Sequence, residues 1–180
     1  MKWKLYEQPK DGDCAPTALV FLVNNFYGGD IKLKEAIGLA RRKYHASAGM
    51  ELKELPLLLN DLDKRYHSTV AISATDYKET RHKIIRAKRV LGSRLKVAKI
   101  DERKFLRDGQ KYLGREKPLI IGIDEEEMND SAHAVVVVDS HPKRVSYYDP
   151  SSGTIQGRGE DYFLSAVGEC GSVEIVKVGV

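Results

Sequence analysis

Residues 13–29 read DCAPTALVFLVNNFYGG, and this stretch predicts the central element of the fold. Their apolar side chains recur with a period close to 3.6 residues, which predicts a helix. These side chains also extend well around the helix surface, so we expect the helix to be central and buried. Pro16 suits the first turn of such a helix, and Gly28 and Gly29 suit its end. Cys14 is therefore predicted to lie at the N-terminus of a buried helix.

The composition is that of one globular domain, residues 1–180. The chain is 42% hydrophobic and 31% charged, and a chain of this length buries roughly 70% of its unfolded surface. It has no apolar run long enough to span a membrane and no apolar signal region at the N-terminus, so a cytoplasmic protein without membrane contact is expected. Two cysteines are too few for a disulfide scaffold or a four-cysteine zinc site. We expect Cys14 and Cys170 to be free thiols, with a single bridge between them as the alternative, and we expect no metal or cofactor.

The pattern changes from helical to β-rich along the chain. Helices are predicted within residues 30–45, 49–66, 77–92 and 101–114. From Pro118 onward, short segments rich in β-branched residues predict strands within residues 118–124, 133–140, 144–150 and 172–178. The expected fold class is α+β, in which an N-terminal helical half containing the Cys14 helix packs on a C-terminal antiparallel sheet.

Positive charge is concentrated in one segment. Residues 77–117 contain 15 Lys or Arg against 5 Asp or Glu, whereas the whole chain has a net charge of +4. Such a segment can bind nucleic acid or an acidic partner, and it is also typical of solvated helix faces. Few aromatic residues are interleaved with the charges, which disfavours a base-stacking surface. A non-catalytic module that binds a peptide or nucleic acid through this segment remains an alternative.

Cys14 has two possible roles. At a helix N-terminus, unpaired N–H groups and the helix dipole favour an anion, which lowers the pKa of a thiol toward the range of activated cysteines. Alternatively, cysteine is often buried as a small hydrophobic residue. A nucleophilic thiol also needs a base and a group that orients the base.

His133 is the candidate base among five histidines because it begins the strand HAVVVVDS. His45, His67 and His82 lie in polar surroundings, where we expect them to face solvent, and His141 lies in a turn. The alternative role for His133 is that of a packed, hydrogen-bonded structural residue.

A hairpin links His133 to a carboxylate. The strands HAVVVVDS and RVSYYDP flank the sequence SHP. A loop centred on His141 would place His133 directly opposite Asp149, on the same face of the sheet. Asp149 would then orient the imidazole, and Asp139 is a less favoured orienting group.

Acyl transfer also needs donors for the developing oxyanion. The N–H of Cys14 supplies one. Gln8 is the only side-chain amide shortly before Cys14 and is the candidate for the second, although a surface role is the simpler explanation for Gln8 alone.

Together these residues resemble the papain-like cysteine peptidases, and within them the bacteriocin-processing peptidases that remove double-glycine leader peptides. In that family the helix begins Asp-Cys-Gly-Pro, and a later histidine leads an apolar strand that is followed by a strand ending in Asp-Pro and glycine. Here these motifs read DCAPTALVFLVNNFYGG, HAVVVVDS and VSYYDPSSG, while GMELKELPLLL and KPLIIGID occupy the family's middle helix and the strand before the histidine.

The resemblance implies Cys14 as nucleophile, His133 as general base and acid, Asp149 as its orienting group and Gln8 as oxyanion donor. Ala15 departs from the family's glycine, and the basic segment 77–117 is longer than expected. The implied activity is hydrolysis of a peptide or protein substrate through an acyl-enzyme. The sequence DGDC also resembles the ovarian-tumour deubiquitinases, although their C-terminal histidine motif differs from AHAVVVVD. An isopeptidase or an acyltransferase with the same thiol chemistry therefore remains an alternative.

Overall fold

The structure is a computed structural model that describes residues 2–44, 49–115, 118–124, 132–170 and 173–180. Its α-helices are α1 (Cys14–Phe26), α2 (Leu33–Tyr44), α3 (Leu55–Leu62), α4 (Ala74–Leu91), α5 (Glu102–Arg107), α6 (Gly109–Arg115) and α7 (Glu160–Glu169). Its strands are β1 (His67–Ser73), β2 (Leu95–Ile100), β3 (Leu119–Ile123), β4 (His133–His141), β5 (Arg144–Asp149), β6 (Thr154–Gly159) and β7 (Glu174–Gly179).

All seven of these strands form one sheet in the order β2-β1-β7-β3-β4-β5-β6. β1 and β2 are parallel and are connected through α4, whereas every other neighbouring pair is antiparallel. β7 therefore joins the β1–β2 pair to the run of strands from β3 to β6.

Helices cover both faces of the sheet. One apolar core packs α1, α2, α3 and α4 against one face, and the other core packs α5, α6 and α7 against the opposite face. Alternate residues of β4 show the division, because Val136 belongs to the first core and Val135 and Val137 belong to the second. This alternation is the expected result of the period-two geometry of a strand.

Helix α1 is the central helix of the first core. Its residues from Ala15 to Val23 are all buried, and the ring of Phe21 stacks on Tyr148 of β5 with centroids 3.8 Å apart. α1 contacts α2, α3, β3 and β4. The prediction of a buried central helix that begins at Cys14 is confirmed, and the buried contacts fix its N-terminus against the sheet.

The α+β fold class is confirmed, and β3, β4, β5 and β7 match the four predicted strand segments, although β4 and β7 each extend one residue beyond them. The predicted helix at 49–66 is shorter: a 3₁₀ turn at Leu52–Glu54 leads into α3, where Pro56 occupies the first turn. The predicted helix at 101–114 is divided into α5 and α6. The first two-thirds of the chain is less uniformly helical than predicted because β1 and β2 lie within it.

None of the described helices is long and apolar enough to cross a membrane.

Candidate active site

Cys14 is the first residue of α1 and is partly exposed at the end of a helix whose next turns are buried. Asp13, immediately before it, is 2% exposed. The carboxylate of Asp13 accepts hydrogen bonds from Arg41 of α2, with Nε 3.1 Å from Oδ1. This ion pair fixes the loop that leads into the helix, so the position of the thiol is set from both sides.

His133 and Asp149 meet as predicted, but through a different register. Their contact is direct: His133 Nε2 lies 2.7 Å from Asp149 Oδ1, and both residues are 3% exposed. However, Val136 pairs with Tyr148. Continuing this register places Val135 opposite Asp149, so the predicted direct pairing of His133 with Asp149 is wrong by two residues.

Two local features of the hairpin explain this difference. The turn has only two residues, 142 and 143, and Lys143 adopts a left-handed conformation with φ of 72°. A β-bulge between Val137 and Asp139 then shifts the register back by one residue. The net shift is even, so His133 and Asp149 remain on positions of the same parity and still meet. Asp139 instead contacts His141.

The carboxylate of Asp149 has a complete set of hydrogen-bond donors. Ser151 donates to Oδ1 from its backbone N–H at 2.8 Å and from its hydroxyl at 2.7 Å. Gln156 of β6 donates to Oδ2 at 2.7 Å and Ser152 does so at 3.2 Å. Burial alone raises the pKa of Asp149, but the bonds from His133 and Ser151 outweigh it and lower the pKa to about 2. The group is therefore an anion at neutral pH.

His133 is held as a cation by its two neighbours. Burial disfavours the charged ring, but the hydrogen bonds to Asp149 and Cys14 and the charges of both raise the pKa of His133 to about 9. Because Nε2 is occupied by Asp149, Nδ1 is the ring nitrogen that remains for the thiol. His133 therefore bridges Asp149 of β5 and Cys14 of α1.

The thiol of Cys14 is acidified by this environment. Burial raises its pKa, but hydrogen bonds from the His133 side chain and from the N–H groups of Ala134 and Ala15, together with the His133 charge, lower it below the ordinary value. A thiolate beside an imidazolium is the reactive form of a cysteine nucleophile.

Gln8 belongs to an N-terminal segment, residues 2–9, that contacts the end of β5 and the turn after Asp149. Its N–H donates to the carbonyl of Pro150 at 2.8 Å, directly after Asp149. Tyr148 donates its hydroxyl to the carbonyl of Tyr6. Gln8 Oε1 is buried, and within the described part of the chain no group bonds to it. Such atoms are usually satisfied by water or by a bound molecule. The segment thus ties Gln8 to the turn that carries Asp149.

The other cysteine and histidines lie in different environments. Cys170 is a free thiol at the end of α7, and burial raises its pKa to about 12. His67, His82 and His141 are exposed, as expected, although His67 begins β1 rather than lying in a helix. His45 lies outside the described residues. The basic segment 77–117 is distributed over α4, β2, α5 and α6, and most of its basic residues on α4 are exposed.

Three residues that support the site were not found from the sequence. Arg41, Ser151 and Gln156 act through hydrogen bonds to Asp13 and Asp149. A weak signal existed for Ser151, because an aspartate side chain often accepts a hydrogen bond from the backbone N–H two residues further on. Gln156 and Arg41 carry no such local signal, since their positions depend on tertiary packing.

No protein-family model matches the sequence, and no curated protein matches it. Among solved structures, the chain is similar to the peptidase domain of Streptococcus ComA, a bi-functional ABC transporter involved in a quorum sensing pathway. The TM-score is 0.60 at 15% sequence identity, and the similarity covers 99% of this chain and 98% of that domain. The chain therefore has the fold of a papain-like peptidase domain.

Proposed function

We propose that the protein is a cysteine peptidase that cleaves a peptide or protein substrate through an acyl-enzyme. The observation that carries the proposal is the continuous contact from Cys14 through His133 to Asp149, in which the pKa of the thiol is lowered and that of the imidazole is raised. A buried structural cysteine needs neither shift. The similarity to a peptidase domain over almost the whole chain supports the same class of reaction.

The proposed reaction begins with attack of the Cys14 thiolate on the substrate carbonyl carbon. A C–S bond forms, and the electron pair of the carbonyl moves to its oxygen. The backbone N–H of Cys14 and the side-chain amide of Gln8 would stabilise this oxyanion. The C–N bond then breaks while His133 gives its proton to the leaving amine. Neutral His133 next takes a proton from water, whose oxygen attacks the thioester and releases the thiolate.

The substrate class is proposed from two likenesses. The motifs around Cys14, His133 and Asp149 resemble those of peptidases that remove double-glycine leaders, and the similar solved domain is the peptidase part of a transporter. A peptide substrate is therefore favoured over a small amide. Transfer of the acyl group to an amine instead of water uses the same first half-reaction, and product analysis separates the two outcomes.

Alkylation of the native protein with iodoacetamide, read by mass spectrometry across pH, tests the proposal. We expect Cys14 to be labelled rapidly at pH 6–7, where an ordinary thiol with a pKa of about 8.5 is mostly protonated. Cys170, whose pKa is raised to about 12, should stay largely unlabelled. His133→Ala should move the onset of Cys14 labelling to higher pH, because the cation that stabilises the thiolate is lost. Rapid labelling of Cys170 with an inert Cys14 would refute the proposal.

The rate of peptide cleavage should also fall at high pH. The imidazolium that protonates the leaving amine is lost as pH rises through about 9, so activity should fall there. Activity that keeps rising above that pH would exclude His133 as the acid.

A further inference from the structure

Gln156 connects β6 to the orienting carboxylate of the site. It lies directly opposite Tyr147 in the β5–β6 pair, and Asp149 is two residues further along the same strand as Tyr147. Residues in this diagonal relation share a face of the sheet and are within reach of long side chains. Gln156 Nε2 lies 2.7 Å from Asp149 Oδ2.

The chemistry of the neighbours fixes which end of the Gln156 amide faces Asp149. An ionised carboxylate only accepts hydrogen bonds, so the nitrogen must face it. The amide oxygen then faces the hydroxyl of Tyr147, which donates to Oε1 at 3.2 Å. A chain of hydrogen bonds therefore runs from Tyr147 through Gln156 to Asp149 and His133.

The two oxygens of Asp149 are held unequally. Oδ1, which faces His133, is also fixed by two bonds from Ser151. Oδ2 is bonded at 2.7 Å by Gln156, whereas Ser152 is exposed and donates at 3.2 Å. Gln156 is thus the main bond that holds Oδ2, and together with the bonds on Oδ1 it fixes the rotation of the carboxylate about its Cβ–Cγ bond.

We propose that Gln156 is a positioning residue for the proposed cysteine peptidase, since its amide, oriented by Tyr147, holds the Asp149 carboxylate in the rotation that points Oδ1 at His133. This inference rests on the proposed function. Gln156 itself touches neither the thiol nor the substrate carbonyl in this scheme. Its effect reaches the reaction through His133, which is faced by Cys14 from α1 and by Asp149 from β5.

Gln156→Leu is the direct test because leucine is similar in size and donates no hydrogen bond. Hydrogen bonds to charged groups are strong enough that kcat/KM should fall roughly 10- to 100-fold. As the His133–Asp149 bond weakens, the basic limb of the pH profile should move to lower pH by about one unit. Labelling of Cys14 by iodoacetamide should move to higher pH. If Gln156 only stabilised the fold, its substitution would lower the melting temperature without moving the basic limb of activity or the pH at which Cys14 is labelled.

Two further variants keep the test decisive if Gln156→Leu folds poorly. Tyr147→Phe keeps the ring and removes only the hydroxyl that orients the amide, so it should give a smaller change in the same direction. Gln156→Glu keeps the shape but places a second carboxyl beside Asp149. This variant should lose more activity at pH 7 than at pH 5, because the introduced carboxyl can donate a hydrogen bond only when it is protonated.

Thr154→Val is the matched control on the same strand. The Thr154 hydroxyl bonds Ser152 and has no direct bond to Asp149. The basic limb of the activity profile and the pH at which Cys14 is labelled should therefore both stay within about 0.2 pH units of those of the unmodified protein. Such a shift is worth only about 0.3 kcal/mol.

Failure of this inference and failure of the proposed function give different results. Suppose the unmodified protein cleaves peptides and is labelled rapidly at Cys14. If Gln156→Leu and Tyr147→Phe then give the same dependence of cleavage and labelling on pH as the unmodified protein, the positioning role is refuted. If the unmodified protein neither cleaves peptides nor labels rapidly at Cys14, the peptidase itself is refuted and the positioning role falls with it.

Discussion

Gly153 lies where the N-terminal segment crosses the turn after Asp149. Its φ is +63°, a left-handed conformation that residues with a side chain rarely adopt. A Cβ placed there would lie 3.1 Å from the carbonyl oxygen of Tyr6 and 3.2 Å from Cβ of Glu7. Glycine at this position therefore allows the N-terminal segment to approach the turn and to place Gln8 beside it.

Gly153→Ala should affect both stability and activity. The left-handed conformation alone costs an alanine roughly 1–2 kcal/mol, which corresponds to a fall in melting temperature of roughly 2–8 °C for a domain of this size. Displacement of Gln8 should lower peptide turnover by about tenfold or more. Calorimetry and peptide cleavage measure the two effects.

Gly179→Ala is the control, because its Cβ would meet nothing within 4 Å and its φ is not left-handed. If the two variants melt and cleave alike, close approach at Gly153 is not what positions Gln8.

The contact between the start of α1 and α2 fixes the position of the thiol. Asp13 is nearly inaccessible, and its charge is balanced by Arg41, whose side chain is 37% exposed. Removing one member of such a pair leaves a buried charge without a partner, whereas removing both does not. The Asp13–Arg41 pair therefore fixes the start of α1 against α2, and its net contribution to the stability of the fold is small.

Arg41→Met should destabilise the protein by about 2 kcal/mol, since a buried carboxylate loses its donors. The double variant Asp13→Asn with Arg41→Met should recover most of this loss, as measured by urea unfolding. Arg42→Met, one residue away and exposed, should change the free energy of unfolding by less than about 0.5 kcal/mol. Equal losses in the single and double variants would show that the charge on Asp13 is not the cause.

The sequence predicts some elements better than others, for physical reasons. Helix α1 has strong local signals, from Pro16 at its start to the glycines at its end, and its buried face is continuous. β6 reads TIQGRG and is mostly exposed. It has no apolar alternation, and only its first two residues are β-branched, so its sequence gives little indication of a strand. The hairpin register depended on Lys143 adopting a left-handed conformation and on one bulge, and neither has a clear sequence signal.

The candidate site shows the same division. Cys14, His133 and Asp149 could be proposed from the sequence because chemistry restricts which residue types can serve as nucleophile, base and orienting group. Gln156 was missed because it becomes relevant only when β6 pairs with β5, which is a long-range property of the sheet.

Strand β7 joins the two parts of the sheet. It pairs with β1 on one side and β3 on the other, and it contributes Val176 to one core and Ile175 to the other. Val176 is fully buried and lies opposite both Val70 and Ile120.

Val176→Asp should prevent stable folding, because a buried carboxylate without a partner costs several kcal/mol against a total stability of about 5–15 kcal/mol. Val180→Asp makes the same change at a residue that is 79% exposed, and it should unfold like the unmodified protein. Circular dichroism and thermal melting compare the two. A folded Val176→Asp protein would show that β7 is dispensable to the sheet.

Strand β7 is also the last strand of the sheet to be synthesised. The ribosome makes the Cys14 helix first and the strands of His133 and Asp149 much later, and residues 174–179 emerge after all of them. Until then the sheet is in two pieces, β1 with β2 and β3 through β6, and neither core is complete. The nascent chain therefore carries its thiol, imidazole and carboxylate before it has the framework that aligns them. The proposed activity should therefore start only after β7 has docked between β1 and β3.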